Sequence, residues 1–301
     1  MYGMFGNLKK YVIATRPWSF IMTFISVSVG TLLAAEREPI SWVWFVLSVF
    51  GIILFHAAAN LFNDYYDSEY KIDQEDSPTT KYRSQPITSG LLTPRQVFME
   101  AVCCFITTFA IGVAAGFFRT YHVFWIGTIG MLTSYFYTAG PIRLKYRALG
   151  ELAAFVMWGP LMIEGAYAVQ RQALSLKALY ISIPFGLLVA LVLYANNMRD
   201  IAYDSRHRIK TISILLGERR SFLLFIGLIA LAYLFVLGMV VTGIMSLWGL
   251  LIFLSLPKAF SLVKEFKKKI PDGADALTAQ FDTVFGALLI LAIIFESRVI
   301  L

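Results

Sequence analysis

The chain is predicted to be an all-α polytopic membrane protein, with nine transmembrane helices around a central cavity and a cytoplasmic N-terminus. Three observations carry that prediction. Hydrophobic residues make up 58% of the chain and charged residues 15%, against roughly 45–50% and about 25% in soluble domains. The apolar excess falls into runs of about 20 residues, the length that crosses a hydrocarbon core of roughly 30 Å. The basic residues are also one-sided. Of the 26 Lys and Arg residues, all but Arg37, Arg119, Arg171, Lys177 and Arg298 fall on one side of those runs, the cytoplasmic side by the positive-inside rule.

The spans follow in order. The first, 17–35, is preceded by Arg16-Pro17-Trp18 and has the full length of a span, so it is not a secretory leader. The second, 41–62, runs into Asn60-Leu61-Phe62-Asn63-Asp64-Tyr65-Tyr66-Asp67, and a polar loop over about 68–95 follows. Spans 96–118 and 121–139 lead to the basic loop Gly140-Pro141-Ile142-Arg143-Leu144-Lys145-Tyr146. Spans 150–170 and 177–198 lead to Asn196-Asn197-Met198-Arg199-Asp200-Ile201-Ala202-Tyr203-Asp204 and a second long loop, 199–219. Long loops in tight folds are usually functional or disordered. Spans 220–241, 244–263 and 279–297 complete the set, with Asp282 and Glu296 expected at the interface. No linker divides residues 1–301, so they form one domain.

The net charge of +7 reports topology and gives no reason to expect nucleic acid as a partner. Cys103 and Cys104 are adjacent, match no metal spacing and are read as packing residues. His56, His122 and His207 are too dispersed for a zinc set. No GxxxxGK[ST] cradle is present, which argues against a nucleoside triphosphate.

The two Asn/Asp clusters carry the chemistry. An ionised carboxylate beside hydrocarbon costs several kcal/mol, so it persists mainly where it binds something. Asn63-x-x-x-Asp67 and Asn196-x-x-x-Asp200 share one spacing, which places both members on one helix face. Asp204 extends the second stripe by a turn, and Asn60, Asp64 and Asp67 form the first. Hard oxygen donors on two facing helix ends suit a pair of Mg²⁺ ions and a polyanion. Arg16, Lys81, Arg83, Arg143, Lys145, Arg199 and Lys210 would complete a diphosphate site. A diphosphate bound beside a lipid-accessible cavity points to a prenyl diphosphate. Tyr135, Phe136, Tyr137 and Trp158 could face a developing cation, although each alone reads first as packing or an interfacial anchor.

At these residues the chain resembles the UbiA superfamily of intramembrane prenyltransferases over nearly its whole length, and in motif its menaquinone-making (MenA) branch. The resemblance implies that Asn63, Asp67, Asn196, Asp200 and Asp204 act through Mg²⁺ on the substrate diphosphate. Many members carry an Asp four residues beyond the first motif; here that position is Lys71, with an acid at Asp73. Asp73 as a replacement metal ligand and Lys71 as a phosphate contact both stay open. The implied reaction is polyprenyl transfer to an aromatic acceptor, with 1,4-dihydroxy-2-naphthoate the first choice, at the cytoplasmic face of the cell membrane. The same chemistry on geranylgeranylglyceryl phosphate is the enzymatic alternative. A cation-coupled transporter or lipid-binding protein is the alternative of another class, and clusters at one face rather than the midplane weigh against it.

Overall fold

The computed structural model describes residues 2–36, 38–72, 74, 76–81, 83, 85–207 and 209–297, with backbone alone for residues 2–7 and Lys81. Asp73 lies outside the described residues. Within them the chain is a helical bundle. In order the helices are α1 (Tyr2–Ala14), α2 (Phe20–Ala35), α3 (Trp42–Glu69), α4 (Pro94–Phe118), α5 (His122–Thr138), α6 (Gly150–Val156), α7 (Met162–Arg171), α8 (Leu176–Arg199), α9 (Ile201–Arg206), α10 (Ile212–Val241), α11 (Leu256–Lys268) and α12 (Ala274–Ser297).

Eight described helical stretches are long and apolar enough to cross a membrane. The expected span at 121–139 forms α5, which at 17 residues is shorter than these eight. The span expected at 150–170 is built from α6 and α7 joined by a π-helical turn, Met157–Leu161, that contains Pro160. Proline has no N–H to give the helical ladder, and a π-turn absorbs the mismatch. The span expected at 244–263 opens as a 3₁₀ stretch, Leu247–Ser255, before α11. Helix α10 opens with a short turn at Ile212, which Thr211 caps by accepting from the Ile214 amide; the non-helical Gly217 (φ 74°, ψ 166°) separates that turn from the long helix that follows, close to the expected start at 220.

The main core lies among α2, α7, α8, α10, α11 and α12, where Phe185, Tyr194, Phe225, Phe281 and Phe285 are buried. A smaller core joins α3 to α4 through Leu61, Phe62, Val97 and Ala101. Helices in lipid gain no hydrophobic drive from each other, so small residues that allow close backbone approach matter more. A methyl group on Gly30 of α2 would sit 2.2 Å from the Ile163 carbonyl oxygen of α7. Gly159 in the π-turn and Gly186 of α8 are also in close contact, since a methyl on Gly186 would fall 2.9 Å from the Gly159 Cα. Large apolar side chains such as Phe117, Phe118, Trp125 and Val241 point outward, as a lipid-facing surface requires.

The end of the bundle opposite the Asn/Asp clusters is stitched by polar side chains. Lys177 pairs with Glu36 (2.8 Å) and Glu296 (2.7 Å), and Glu296 also accepts from the Ser246 amide. Arg171 donates to the Ala34 carbonyl and to Glu38, Arg119 donates to the Val169 and Gln170 carbonyls, and Gln170 exchanges hydrogen bonds with the Ser41 backbone. Glu296 therefore ties helix ends together. Asp282, also expected at the interface, is fully buried in α12, and neither carboxylate oxygen has a hydrogen-bond partner within the described residues. Cys103 is exposed on α4 and Cys104 is partly buried beside it, so only the second packs.

Candidate active site

A cavity of about 320 Å³ lies at the cluster end of the bundle, bounded by α2, α3, α5, the π-turn, α8, α9 and α12. Asn63, Asp67, Asn196, Asp200 and Asp204 all line it. The first motif sits in the uninterrupted last turns of α3. The second straddles a joint: α8 ends at Arg199, α9 starts at Ile201, and Asp200 (φ −93°, ψ 6°) is the hinge between them. The predicted two-turn stripe is therefore bent, though the Asp204 amide still reaches the Asp200 carbonyl at 2.8 Å.

The two motifs share one internal geometry. Asn63 Nδ2 donates to Asp67 Oδ2 (3.1 Å), and Asn196 Nδ2 donates to Asp200 Oδ2 (3.2 Å). In each, one side-chain cation spans the Asn Oδ1 and the Asp carboxylate. Lys145 reaches Asn63 Oδ1 at 3.3 Å and ion-pairs with Asp67. Arg199 reaches Asn196 Oδ1 at 2.8 Å and grips both Asp200 oxygens at 2.7 Å. Asp67 and Asp200 are 1% and 6% exposed, and charges so deeply desolvated persist only when paired.

This arrangement tests whether divalent ions fit. Amide and carboxylate oxygens converge on a positive charge at two neighbouring points, and those donors are the ones Mg²⁺ prefers. Asp204 adds a third carboxylate. Burial, and then the charge of Asp200, push it up to about 7, against the opposing pull of Lys145 and Arg199. The residues fit a bound cation.

Other expected site residues divide. Arg16, Arg83, Lys145 and Arg199 belong to the cavity or to its aspartates. Asp64 is turned away from it and pairs with Arg16. The Arg143 guanidinium lies over the Tyr70 ring at 3.9 Å, outside the cavity lining. Lys210 meets the loop after α5 through its backbone, its amide donating to the Tyr146 carbonyl and its carbonyl accepting from Ala148. Lys81 ends the short 3₁₀ turn Pro78–Lys81, and its side chain is outside the description.

Several members of the site carry no signal in the linear sequence. The Tyr146 hydroxyl donates to Asp67, and Thr138 donates to Asn63 Oδ1 at 3.1 Å. Arg199 is further held by Thr79, Asp275 and the Asp272 carbonyl, and the Tyr203 hydroxyl ties α9 to the Ile72 carbonyl at 2.6 Å. A polar chain crosses the cavity wall as well. Ser19 donates to the Arg16 carbonyl (2.8 Å), so its oxygen accepts from Asn60 Nδ2 and from His56 Nε2, both at 3.3 Å. His56 Nδ1 must then accept from Thr23 (2.8 Å), whose oxygen accepts from Trp158 Nε1 (3.1 Å). The chain assigns His56 the neutral Nε2–H tautomer and fixes Arg16, itself in a left-handed conformation (φ 60°), at the cavity mouth.

Residues 23–289 match the model of the UbiA prenyltransferase family. The chain is 31% identical to the 1,4-dihydroxy-2-naphthoate octaprenyltransferase of Bacillus subtilis, covering 91% of this chain and 89% of that one. It is also 31% identical to the UbiA prenyltransferase domain-containing protein 1 of Xenopus tropicalis, over 94% and 81% of the two chains. The structure of a UbiA homolog from Archaeoglobus fulgidus bound to GPP and Mg²⁺ superposes with a TM-score of 0.68 at 15% identity, over 96% of this chain and 100% of that one. The chain therefore belongs to the UbiA prenyltransferase family and is a membrane-embedded prenyltransferase.

Proposed function

We propose that this enzyme transfers a polyprenyl group from a prenyl diphosphate to 1,4-dihydroxy-2-naphthoate, the acceptor named for its Bacillus subtilis relative. The observation that carries the reading is the doubled Asn–Asp pair, each spanned by a cation on the wall of one cavity. Asn63, Asp67, Asn196, Asp200 and Asp204 would hold two Mg²⁺ ions, which when bound supply positive charge against the diphosphate's developing negative charge. Arg16, Arg83, Lys145 and Arg199 would bind its oxygens, Arg as a fork and Lys as a point charge. Beyond them the wall turns apolar, with Met22, Val189, Val192 and Leu193. That wall keeps water from the allylic carbon while the ring carbon attacks it. The new carbon–carbon bond forms at the ring position bearing carboxylate, and carbon dioxide and the diphosphate depart. Charge asymmetry supports the cytoplasmic face of the cell membrane for this site and an N-terminus on that side.

The test offers geranylgeranyl diphosphate and Mg²⁺ to purified protein with 1,4-dihydroxy-2-naphthoate, 4-hydroxybenzoate or geranylgeranylglyceryl phosphate, with products read by mass. A decarboxylated prenyl-naphthoquinol supports the reading. Turnover with the glyceryl phosphate alone overturns the acceptor, and activity that survives EDTA overturns the metal.

A further inference from the structure

Serine and threonine hydroxyls inside helices can bond back to the carbonyl one turn earlier. Thr107, Thr278 and Thr283 do so, donating to the Cys103, Ala274 and Ala279 carbonyls at 2.8 Å. Ser134 of α5 does not. It lines the polar cavity among the aspartates, is 7% exposed, and its Oγ has no hydrogen-bond partner among the described residues. A buried hydroxyl left unsatisfied costs about 1–3 kcal/mol, which a ligand with polar atoms would recover.

Two contacts fix where that hydroxyl stands. Thr138 of α5 donates to Asn63 of α3 at 3.1 Å, and a methyl on Gly130 of α5 would lie 3.8 Å from the Phe55 ring of α3. Both pairs are offset by 75 residues, so α3 and α5 run side by side in one register. Between the two contacts, one turn from each, that register sets Ser134 opposite Ala59, and both line the polar cavity. Their layer lies about 6 Å along the helix axis from the Asn63–Thr138 contact. Ala59 is only partly buried, and two side chains this small leave width for a flat ring.

We propose that the ring of the aromatic acceptor lies in the Ala59–Ser134 layer, and that Ser134 holds the ring hydroxyl next to the reacting carbon. The inference rests on the aromatic-acceptor reading above and adds a residue that contacts the acceptor. Chemistry selects the occupant. The ring carbon must come within bonding reach of the allylic carbon, which is tethered to the diphosphate, so the acceptor has to stand within about a turn of the Asn–Asp pairs. A hydrocarbon tail has no atom that satisfies Ser134. A diphosphate calls for cations, and α5 (His122–Thr138) carries no Lys or Arg. A ring hydroxyl both donates and accepts, as the Ser134 hydroxyl does. An uncharged partner suffices because the transfer needs no base. The ring supplies the electron pair of the new carbon–carbon bond, the diphosphate leaves with the pair of the broken carbon–oxygen bond, and the departing carbon dioxide returns its bonding pair to the ring. Ser134 orients the ring for that exchange.

The experiment separates the two substrates. Full-length protein is assayed with Mg²⁺, geranylgeranyl diphosphate and 1,4-dihydroxy-2-naphthoate, and KM for each substrate is measured in the wild type, Ser134→Ala and Ser134→Thr. Ser134→Ala should raise the acceptor KM roughly five- to tenfold, about the worth of one hydrogen bond, and leave the donor KM unchanged; Ser134→Thr should stay close to the wild type. As competitors of the acceptor, 1-hydroxy-2-naphthoate should bind the wild type more tightly than 2-naphthoate, which lacks the hydroxyl, and Ser134→Ala should erase that difference. Ala59→Leu, which fills the layer, should abolish use of the acceptor while radiolabelled geranyl diphosphate still binds, and that binding certifies the fold. If Ala59→Leu misfolds, the Ser134 variants carry the test alone. An unchanged acceptor KM in Ser134→Ala, a parallel rise in both KM values, or a preference for the hydroxylated competitor that survives the substitution would each overturn the assignment; a prenyl-naphthoquinol product from the wild type would still uphold the acceptor reading. A wild type that prenylates no aromatic ring overturns that reading and this inference with it.

Discussion

Asn63–Asp67 and Asn196–Asp200 have the same spacing, nearly the same internal hydrogen bond and the same kind of bridging cation, but they are built in opposite ways. The first lies inside a continuous helix and borrows its cation, Lys145, from a loop 78 residues away, together with the Tyr146 hydroxyl. The second lies at a break between α8 and α9 and carries its cation within the motif, as Arg199. A rigid pair served from afar therefore faces a hinged pair that serves itself. Arg199 is in turn held by Thr79 and Asp275 from two other segments, so the hinged side is steadied by its surroundings. The same oxygen geometry is reached once through helix regularity and once through tertiary support.

Predictions that break or sharpen this comparison run from large to small. Asp67→Asn and Asp200→Asn should each cut kcat by about a thousandfold in the Mg²⁺-dependent transfer assay, with unchanged elution on size exclusion; a loss confined to one of them would end the equivalence. Arg199→Ala should cost roughly a hundredfold in kcat/KM and Lys145→Ala roughly tenfold, since charged hydrogen bonds contribute about 1.5–3 kcal/mol each and Arg199 makes more of them. Lys145→Arg should restore most of the activity. Arg199→Lys should not, because an ammonium cannot span both Asp200 oxygens and Asn196. Tyr146→Phe should lower kcat by a few-fold to about tenfold, visible on the first pair only. Lys177→Met, at the far end, should leave kcat and KM unchanged and lower the thermal midpoint by a few degrees, measured by scanning fluorimetry in detergent.

Much of the site was legible because the motifs are local. An Asn and an Asp four residues apart on an apolar helix need no partner to be noticed, and basic loops between spans declare themselves by charge. What stayed hidden came from elsewhere in the chain. Tyr146, Thr138, Thr79 and Asp275 are ordinary residues until folding places them against Asp67, Asn63 or Arg199. His56 looked isolated because its partners Ser19, Thr23 and Trp158 are 37, 33 and 102 residues distant. Asp64 shares a helical stripe with the site residues, but it pairs with Arg16 and does not itself line the cavity. The spans were legible for the same reason as the motifs, and their ends less so. The short turn capped by Thr211, set off from the long part of α10 by the non-helical Gly217, lies ahead of the span expected from 220, and no hydrophobicity pattern announces the π-turn at Met157.

The stitched end of the bundle bears on a requirement that has nothing to do with catalysis. A charged, water-accessible cavity in a membrane is half of an ion channel. None of the residues lining the polar cavity belongs to the belt of Lys177, Glu36, Glu296, Arg171, Arg119 and Gln170, and that belt ties the helices together at the opposite end. Among the described residues the polar cavity and the belt share no lining residue, so the charged pocket does not continue to the opposite end of the bundle.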